Sequence, residues 1–364
     1  MPSQTHPPRF GTDGIRNLCC PDSQLTLGMV LFLSLLVLLI PSQGISGTTT
    51  RFAVIGDLPY TPEQADKLTR KGGIADSLSQ QGLPFVIHYG DFKKREGCQQ
   101  PLMQQRREQI YALHKGPVFY TPGDNDWTDC DSSHSGSSQS ELESLAWLRS
   151  LFFPQPYPIP ANWGFRSQGP KLPENGQWLY GDLLFSTLHI VGTKNGRAKI
   201  KKDKKRQALL QVDQRDRDNL IWLESAFDRA KKERAKGLVF VIHADLEAVK
   251  KAHKGARACS EKVRKKCDPY QLFRSQLMKK AEALGKPTLL IHGDTGPYCL
   301  EQYGQGKSLW RLNAAGDVSL TDPPDRAYLV DATIVSFDPE KQRFSAQTLL
   351  SQRIPAKGCP KGGK

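Results

Sequence analysis

The feature that most constrains this chain is a repeated phrase, a short apolar run that closes on Gly-Asp. It occurs as FAVIGD ending at Asp57, FVIHYGD at Asp91, VFYTPGD at Asp124 and LLIHGD at Asp294. A fifth run, LVFVIHAD, has the same character but ends on His243. Each run is short, rich in Val, Ile and Phe, and bounded by turn residues, which predicts buried strands. A single Gly-Asp at a strand end is more often a turn or a helix cap than a site, and a lone His in such a run is more often core. Four Gly-Asp ends and a His in one chain change that balance. Open α/β sheets bind ligands in the crevice beyond the carboxyl ends of their strands. Four carboxylates and an imidazole gathered there cannot all keep their charges unless a cation joins them. A divalent metal is the first expectation.

Strand and helix signals alternate along the chain. Strands over 51–56, 84–89 and 117–121 are followed by helical patterns near 63–81, 100–114 and 141–152. Further strands are expected over 183–192, 237–243 and 287–292, with helices over 207–236 and 270–285. This order argues for an α/β sheet. The last sixty residues hold runs such as SLWRLN and RFSAQTLL, which predict an antiparallel finish. The expected organisation is a leader (1–46), one domain (47–350) and a loose tail (351–364).

Residues Leu25–Ile40 are almost wholly apolar, and Gly44 and Ser46 follow as small residues at a cleavage position. That pattern predicts a signal peptide and export to a periplasmic or secreted location. An uncleaved anchor over 25–40 is the alternative, and a membrane is a partner only in that case. Export fits the cysteines, because six remain beyond the leader and an oxidising compartment favours pairing. Fifteen connectivities are open. Cys98 and Cys130 each follow a Gly-Asp loop, Cys259 and Cys267 would close a basic loop, and Cys299 would tether the tail at Cys359. The stretch RFGTDGIRN (9–17) resembles the opening of phosphoglucosamine mutases.

A formal net charge of +14 points to anionic partners or simply to solubility. The segment Lys194–Arg206 carries eight Lys or Arg against one Asp and is either a solvated loop or an anion-binding lip. No aromatics interleave with it, which argues against nucleic acid. Phosphate loops of the GxxxxGK[ST] and GxGxxG types and the GxSxG elbow are absent, which argues against nucleotide-dependent kinases, dehydrogenases and serine hydrolases.

On these residues, from about Arg51 to Leu350, the chain resembles the calcineurin-like metallophosphoesterase superfamily. The motifs stand here as Asp57-Leu58-Pro59, Gly90-Asp91, Gly123-Asp124-Asn125-Asp126, His243 and Gly293-Asp294-Thr295-Gly296. The resemblance implies an α/β fold, a sandwich of two mixed β-sheets flanked by helices. It also implies a phosphorylated or other anionic substrate and one or two divalent ions, with Asp91 shared between the metal positions. Asp57, Asp91, Asp124, His243 and Asp294 are the implied metal ligands, and this oxygen-rich set favours Mg²⁺, Mn²⁺ or Ca²⁺. Pro59 and Gly296 stand where the family has histidines. Asn125 stands where the family has a proton-donating His and is expected to contact the phosphate. Asp126, His88 or His189 would then carry the proton-transfer role. A bacterial branch with GDxPY, PGDNxWTDC and HGDTH phrases is matched here by GDLPY (56–60), PGDNDWTDC (122–130) and HGDTG (292–296). For that branch only Gly296 is unusual. The expected activity is metal-dependent phosphoester hydrolysis; the alternative is a catalytically degenerate fold that binds metal or an anion.

Overall fold

The strands alternate which face each side chain buries, and that alternation builds the layers. The computed structural model describes residues 48–94, 98–131, 139–153, 159–316, 318–319 and 328–359. In β1 (Thr50–Ile55), Phe52 and Val54 enter one apolar cluster while Ala53 and Ile55 enter another. The first sheet has β1, β2 (Val86–His88) and β3 (Val118–Tyr120) running parallel. The second sheet contains β4 (Arg166–Ser167), β5 (Gly176–Tyr180), β6 (Leu183–Thr187), β7 (Gly237–Val241), β8 (Thr288–His292), β9 (Cys299–Gln302) and β10 (Leu309–Asn313). Of these, β6, β7, β8 and β10 are parallel, and antiparallel β5 and β9 flank them. A small ribbon pairs β11 (Val318–Ser319) with β12 (Tyr328–Leu329). The chain then returns to the first sheet as β13 (Thr333–Asp338), antiparallel to β1, and β14 (Arg343–Thr348). Finally β15 (Ala356–Lys357) joins the second sheet beside β9. The result is two mixed β-sheets flanked by helices, as expected.

Three large apolar clusters among the described residues hold the layers together. The one between the sheets contains Phe52, Phe85, Phe119, Trp178, Phe185, Val239 and Ile291. On the outer face of the first sheet lie α1 (Pro62–Thr69), α2 (Ile74–Ser79), α3 (Gln100–Tyr111) and α4 (Glu141–Phe152), which contribute Leu68, Leu78, Ile110 and Leu148. A short element, α5 (Gly192–Gly196), is a turn of left-handed backbone rather than a true helix. On the outer face of the second sheet lie α6 (Lys205–Lys232) and α7 (Gln271–Leu284), through Trp222, Leu223, Phe227, Phe273 and Leu277. Trp178 stacks on Phe119 at 3.6 Å between ring centroids and on Phe185 at 5.3 Å, and it is fully buried. Trp178→Ala is expected to cost about 3–5 kcal/mol of unfolding free energy, read from urea denaturation.

Several expectations change. The helix expected over 63–81 is two helices, because the chain turns at Arg70–Gly73 and Gly72 takes positive φ. The antiparallel finish holds for β13 and β14, whereas β10, inside SLWRLN, is antiparallel to β9 on one side and parallel to β8 on the other. The tail is not loose as far as 359: β15 pairs with β9 and Cys359 is bonded to Cys299. Three disulfides form, Cys98–Cys130, Cys259–Cys267 and Cys299–Cys359. The first joins the loop beyond Asp91 to the loop beyond Asp124. Among the described residues no helix is long and apolar enough to cross a membrane. The run 25–40, with the whole leader, lies outside them.

Candidate metal centre

Each strand of the repeated phrase delivers its acid two to four residues past its last residue. Asp57, Asp91 and Asp294 all take left-handed backbone, with φ of 53°, 57° and 69°. Such backbone costs a non-glycine residue about 1–2 kcal/mol, and it persists where the surroundings over-determine it. The surroundings here are the other Gly-Asp loops. Asp57 donates its backbone N–H to the Gly90 carbonyl at 2.9 Å, and Asp294 donates its own to Asp57 Oδ2 at 3.2 Å. Glycine precedes the acids because the loops touch. A Cβ on Gly123 would lie 2.0 Å from Asp91 Oδ1, and one on Gly293 would lie 2.2 Å from Asp57 Oδ2.

The loops gather two sets of ligand atoms, each set within 4.8 Å: Asp57, Asp91 and His243, and then Asp124, His243 and Asp294. The resemblance assigns the shared place to Asp91; in the structure His243 belongs to both sets. His243 Nε2 lies 3.1 Å from Asp124 Oδ1 and 3.4 Å from Asp91 Oδ1. Its Nδ1 faces the Tyr89 carbonyl at 3.0 Å. A carbonyl can only accept, so Nδ1 carries a hydrogen and Nε2 is the atom turned to the acids. A backbone carbonyl orienting a metal-bound imidazole uses this arrangement.

Protons balance the charge in the protein alone. Burial pushes Asp91 up to about 8, with the nearby charge of Asp124 adding to it against the pull of His243. Burial and Asp124 raise Asp294 well above the usual carboxylate range, and burial raises Asp57. Asp124 is held low, because its hydrogen bond and attraction to His243 outweigh burial. His243 is raised well above its ordinary value, the charges and hydrogen bonds of Asp91 and Asp124 overcoming burial. Buried acids pushed towards retaining protons, beside an imidazole whose ring is oriented by Nδ1–H on a carbonyl, fit a divalent cation, which would take the protons' place.

Two features here were not read from the sequence. The Tyr60 hydroxyl lies 3.1 Å from Asp57 Oδ1 and 3.0 Å from Asp91 Oδ2, bridging the first pair of acids. Its spacing of three residues from Asp57 in GDLPY was the available signal. The second is α5, where Thr193, Lys194 and Asn195 all have φ between 52° and 58°. Thr193 Oγ1 donates to Asp124 Oδ2. A Cβ on Gly192 would meet Asp124 Oδ1 at 2.7 Å and Asp294 Oδ2 at 2.8 Å. The basic segment Lys194–Arg206 therefore starts at the centre and then runs outward, with Lys199, Lys201 and Lys204 exposed.

The remaining sequence candidates have other surroundings. Asn125 is half-buried, and its backbone N–H donates to Asp91 Oδ1 at 2.9 Å. Asp126 accepts from the backbone N–H groups of Asp91, Phe92 and Gly123 and from the Tyr120 hydroxyl, at 2.7–3.0 Å. His88 Nε2 meets the Leu58 carbonyl at 2.9 Å, and its Nδ1 accepts from Gly90 N–H at 3.2 Å. Burial pushes His88 down to about 4, so it is neutral. His189 pairs with Glu174 at 2.6 Å and stands outside both ligand sets.

No family model and no curated protein sequence matches this chain. Among solved structures it is similar to PhoD, with a TM-score of 0.43 and 11% identity. That alignment covers 83% of this chain and 66% of PhoD's, so the chain spans just under two thirds of PhoD's length.

Proposed function

We propose that this protein is an exported, metal-dependent phosphoester hydrolase. The observation that carries the reading is the convergence of Asp57, Asp91, Asp124, His243 and Asp294 at one end of the two sheets, with His243 Nε2 turned to the acids. The order of these residues along the chain, which resembles that of metallophosphoesterases, supports it. The three disulfides fit an oxidising compartment and so support export.

Asp91, Asp124, His243 and Asp294 would hold one divalent ion, and Asp57 with Asp91 and His243 would offer a second, weaker place. A cation held there supplies Lewis-acid polarisation of a phosphoryl oxygen and acidification of water. Thr193 fixes Asp124 through its hydroxyl. Asn125, neutral and half-buried, is assigned to hydrogen-bond a phosphate oxygen. Asp126 and His88 are assigned positioning roles, since the oxygens of Asp126 brace the Asp91 and Gly123 loops and His88 braces the Asp57 and Gly90 loops. Mg²⁺, Mn²⁺ and Ca²⁺ suit such oxygen-rich ligands. One observation favours the second reading, a binding module without turnover: Tyr60 bridges Asp57 and Asp91 while Pro59 and Gly296 supply no ligand.

The two readings separate in one assay. Chelator-treated protein should regain hydrolysis of 4-nitrophenyl phosphate or bis(4-nitrophenyl) phosphate when Mn²⁺, Mg²⁺ or Ca²⁺ is added. Absence of turnover with every metal and both substrates would leave the binding module.

A further inference from the structure

The left-handed turn α5 has two ends. Gly192 and Thr193 touch the acids, whereas Gly196 packs on Trp127 and Arg215, where a Cβ would lie 3.0 Å from the Trp127 ring and 3.3 Å from Arg215 Nη2. Beside that second end is a cavity of about 260 Å³, whose lining includes Trp127, Leu145, Arg149, Lys171, Val212 and Arg215. None of the five strand-end ligands lines it.

Arg215 is buried on this wall without a counter-ion. Among the described residues no carboxylate oxygen lies within 4 Å of its guanidinium. The neighbouring acids serve other cations: Arg197 takes Asp213 and Asp216, and Arg149 takes Glu174 at 2.6 Å. Arg215 has instead the Asn195 carbonyl, 2.6 Å from Nη2, and the Trp127 ring, 5.3 Å from its centre. Its Nε–H and the Trp127 Nε1–H are both buried without a hydrogen-bond partner. Burial lowers Arg215 to about 10, Arg149 and Arg197 pushing the same way against Asp216, so it remains charged at neutral pH. An unpaired buried charge costs several kcal/mol. A cationic floor, two orphan donors and apolar walls from Trp127, Leu145 and Val212 define the complementary ligand.

We propose that this cavity binds a small organic anion, its acidic group seated on Arg215 with Lys171 and Arg149 nearby, and its apolar body against Trp127, Leu145 and Val212. The site goes beyond the proposed hydrolase activity and does not depend on it.

The test titrates phenylphosphonate, and separately inorganic phosphate, into the full chain in excess EDTA, followed by tryptophan fluorescence and calorimetry. Excess EDTA leaves no divalent ion at the strand-end centre to bind either probe, and the cavity variants below assign the binding to the cavity. Saturable 1:1 binding of phenylphosphonate is expected, at least about tenfold tighter than inorganic phosphate because only the former has an apolar body. Arg215→Gln should weaken it at least about tenfold, while Arg217→Gln, an exposed arginine on the same helix, should leave it unchanged. Gln211 also lines the cavity and is exposed, so Gln211→Trp fills the space without disturbing the core and should weaken binding to a similar extent. Unchanged affinity in Arg215→Gln, or in Gln211→Trp if the first variant does not fold, overturns the proposal. So does a lack of saturable binding, or inorganic phosphate binding as tightly as phenylphosphonate.

Discussion

Chelator-treated protein is expected to lose thermal stability as pH rises from about 7 to about 9, and Mn²⁺ is expected to restore more stability at the upper end than at the lower. Asp91 titrates near 8 in the folded protein and near 3.8 when unfolded, so across the intervening range the folded state holds the extra proton. Stability falls with pH wherever the folded state binds more protons. His243, raised above its ordinary 6.5, gives the same sign above that value. Glu141, pushed to about 9 by burial and by Asp131, adds to the slope but lies outside the ligand sets, so it does not respond to metal. Below about pH 6.5 the trend reverses in part, because His88 and His189, each lowered to about 4, take up protons on unfolding. The difference between melting curves with and without Mn²⁺ isolates the centre. At a hundredfold excess over Kd the gain is about 2.7 kcal/mol, or roughly 3–5 °C for a chain of this size. A Mn²⁺ shift that is absent, or equal at both pH values, contradicts the assignment.

The second large effect is at His243. It is the only side chain common to both ligand sets, so His243→Ala removes an atom from each. It also removes the partner that holds Asp124 ionised, leaving three buried acids and the half-buried Asp294 with no imidazole among them. Mn²⁺-supported hydrolysis should fall by at least about 100-fold, the scale seen when one preorganised charge-stabilising group is lost. The loss should appear in metal titrations as well as in kcat. A variant that keeps its rate at saturating Mn²⁺ would show that His243 is a core histidine.

The sequence announced the Gly-Asp loops because two independent constraints act on the same dipeptide. Gly123 and Gly293 must lack a Cβ for neighbouring loops to touch, and an acid follows to point into the gap. His243 was legible only through its place in the order of motifs, since FVIHAD alone describes a core strand equally well. Asp126 was harder. It lies two residues after Asp124 in the same loop, yet its carboxylate turns back onto backbone N–H groups, and only the folded loop decides which acid faces out. Tyr60 and Thr193 were missed for the same kind of reason. Each reaches an acid on another loop, Tyr60 across to Asp91 and Thr193 across to Asp124, and no local pattern records such a crossing. In β10, Trp310 and Leu312 face the core between the sheets, but facing fixes which side is buried and not which neighbour is taken, so its parallel pairing with β8 beside its antiparallel pairing with β9 was not legible.

The most direct measurement is Mn²⁺-restored hydrolysis of 4-nitrophenyl phosphate by the wild-type protein and by Asp91→Asn, prepared together and shown by circular dichroism to be equally folded. Asparagine keeps the shape of Asp91 and can still accept from Asn125 N–H, while it removes the charge and replaces the oxygen that accepts from Tyr60 with an NH2 donor. Metal-dependent turnover in the wild type that falls by at least about 100-fold in Asp91→Asn is the predicted result. Equal turnover in the two proteins would contradict a centre built on these strand ends.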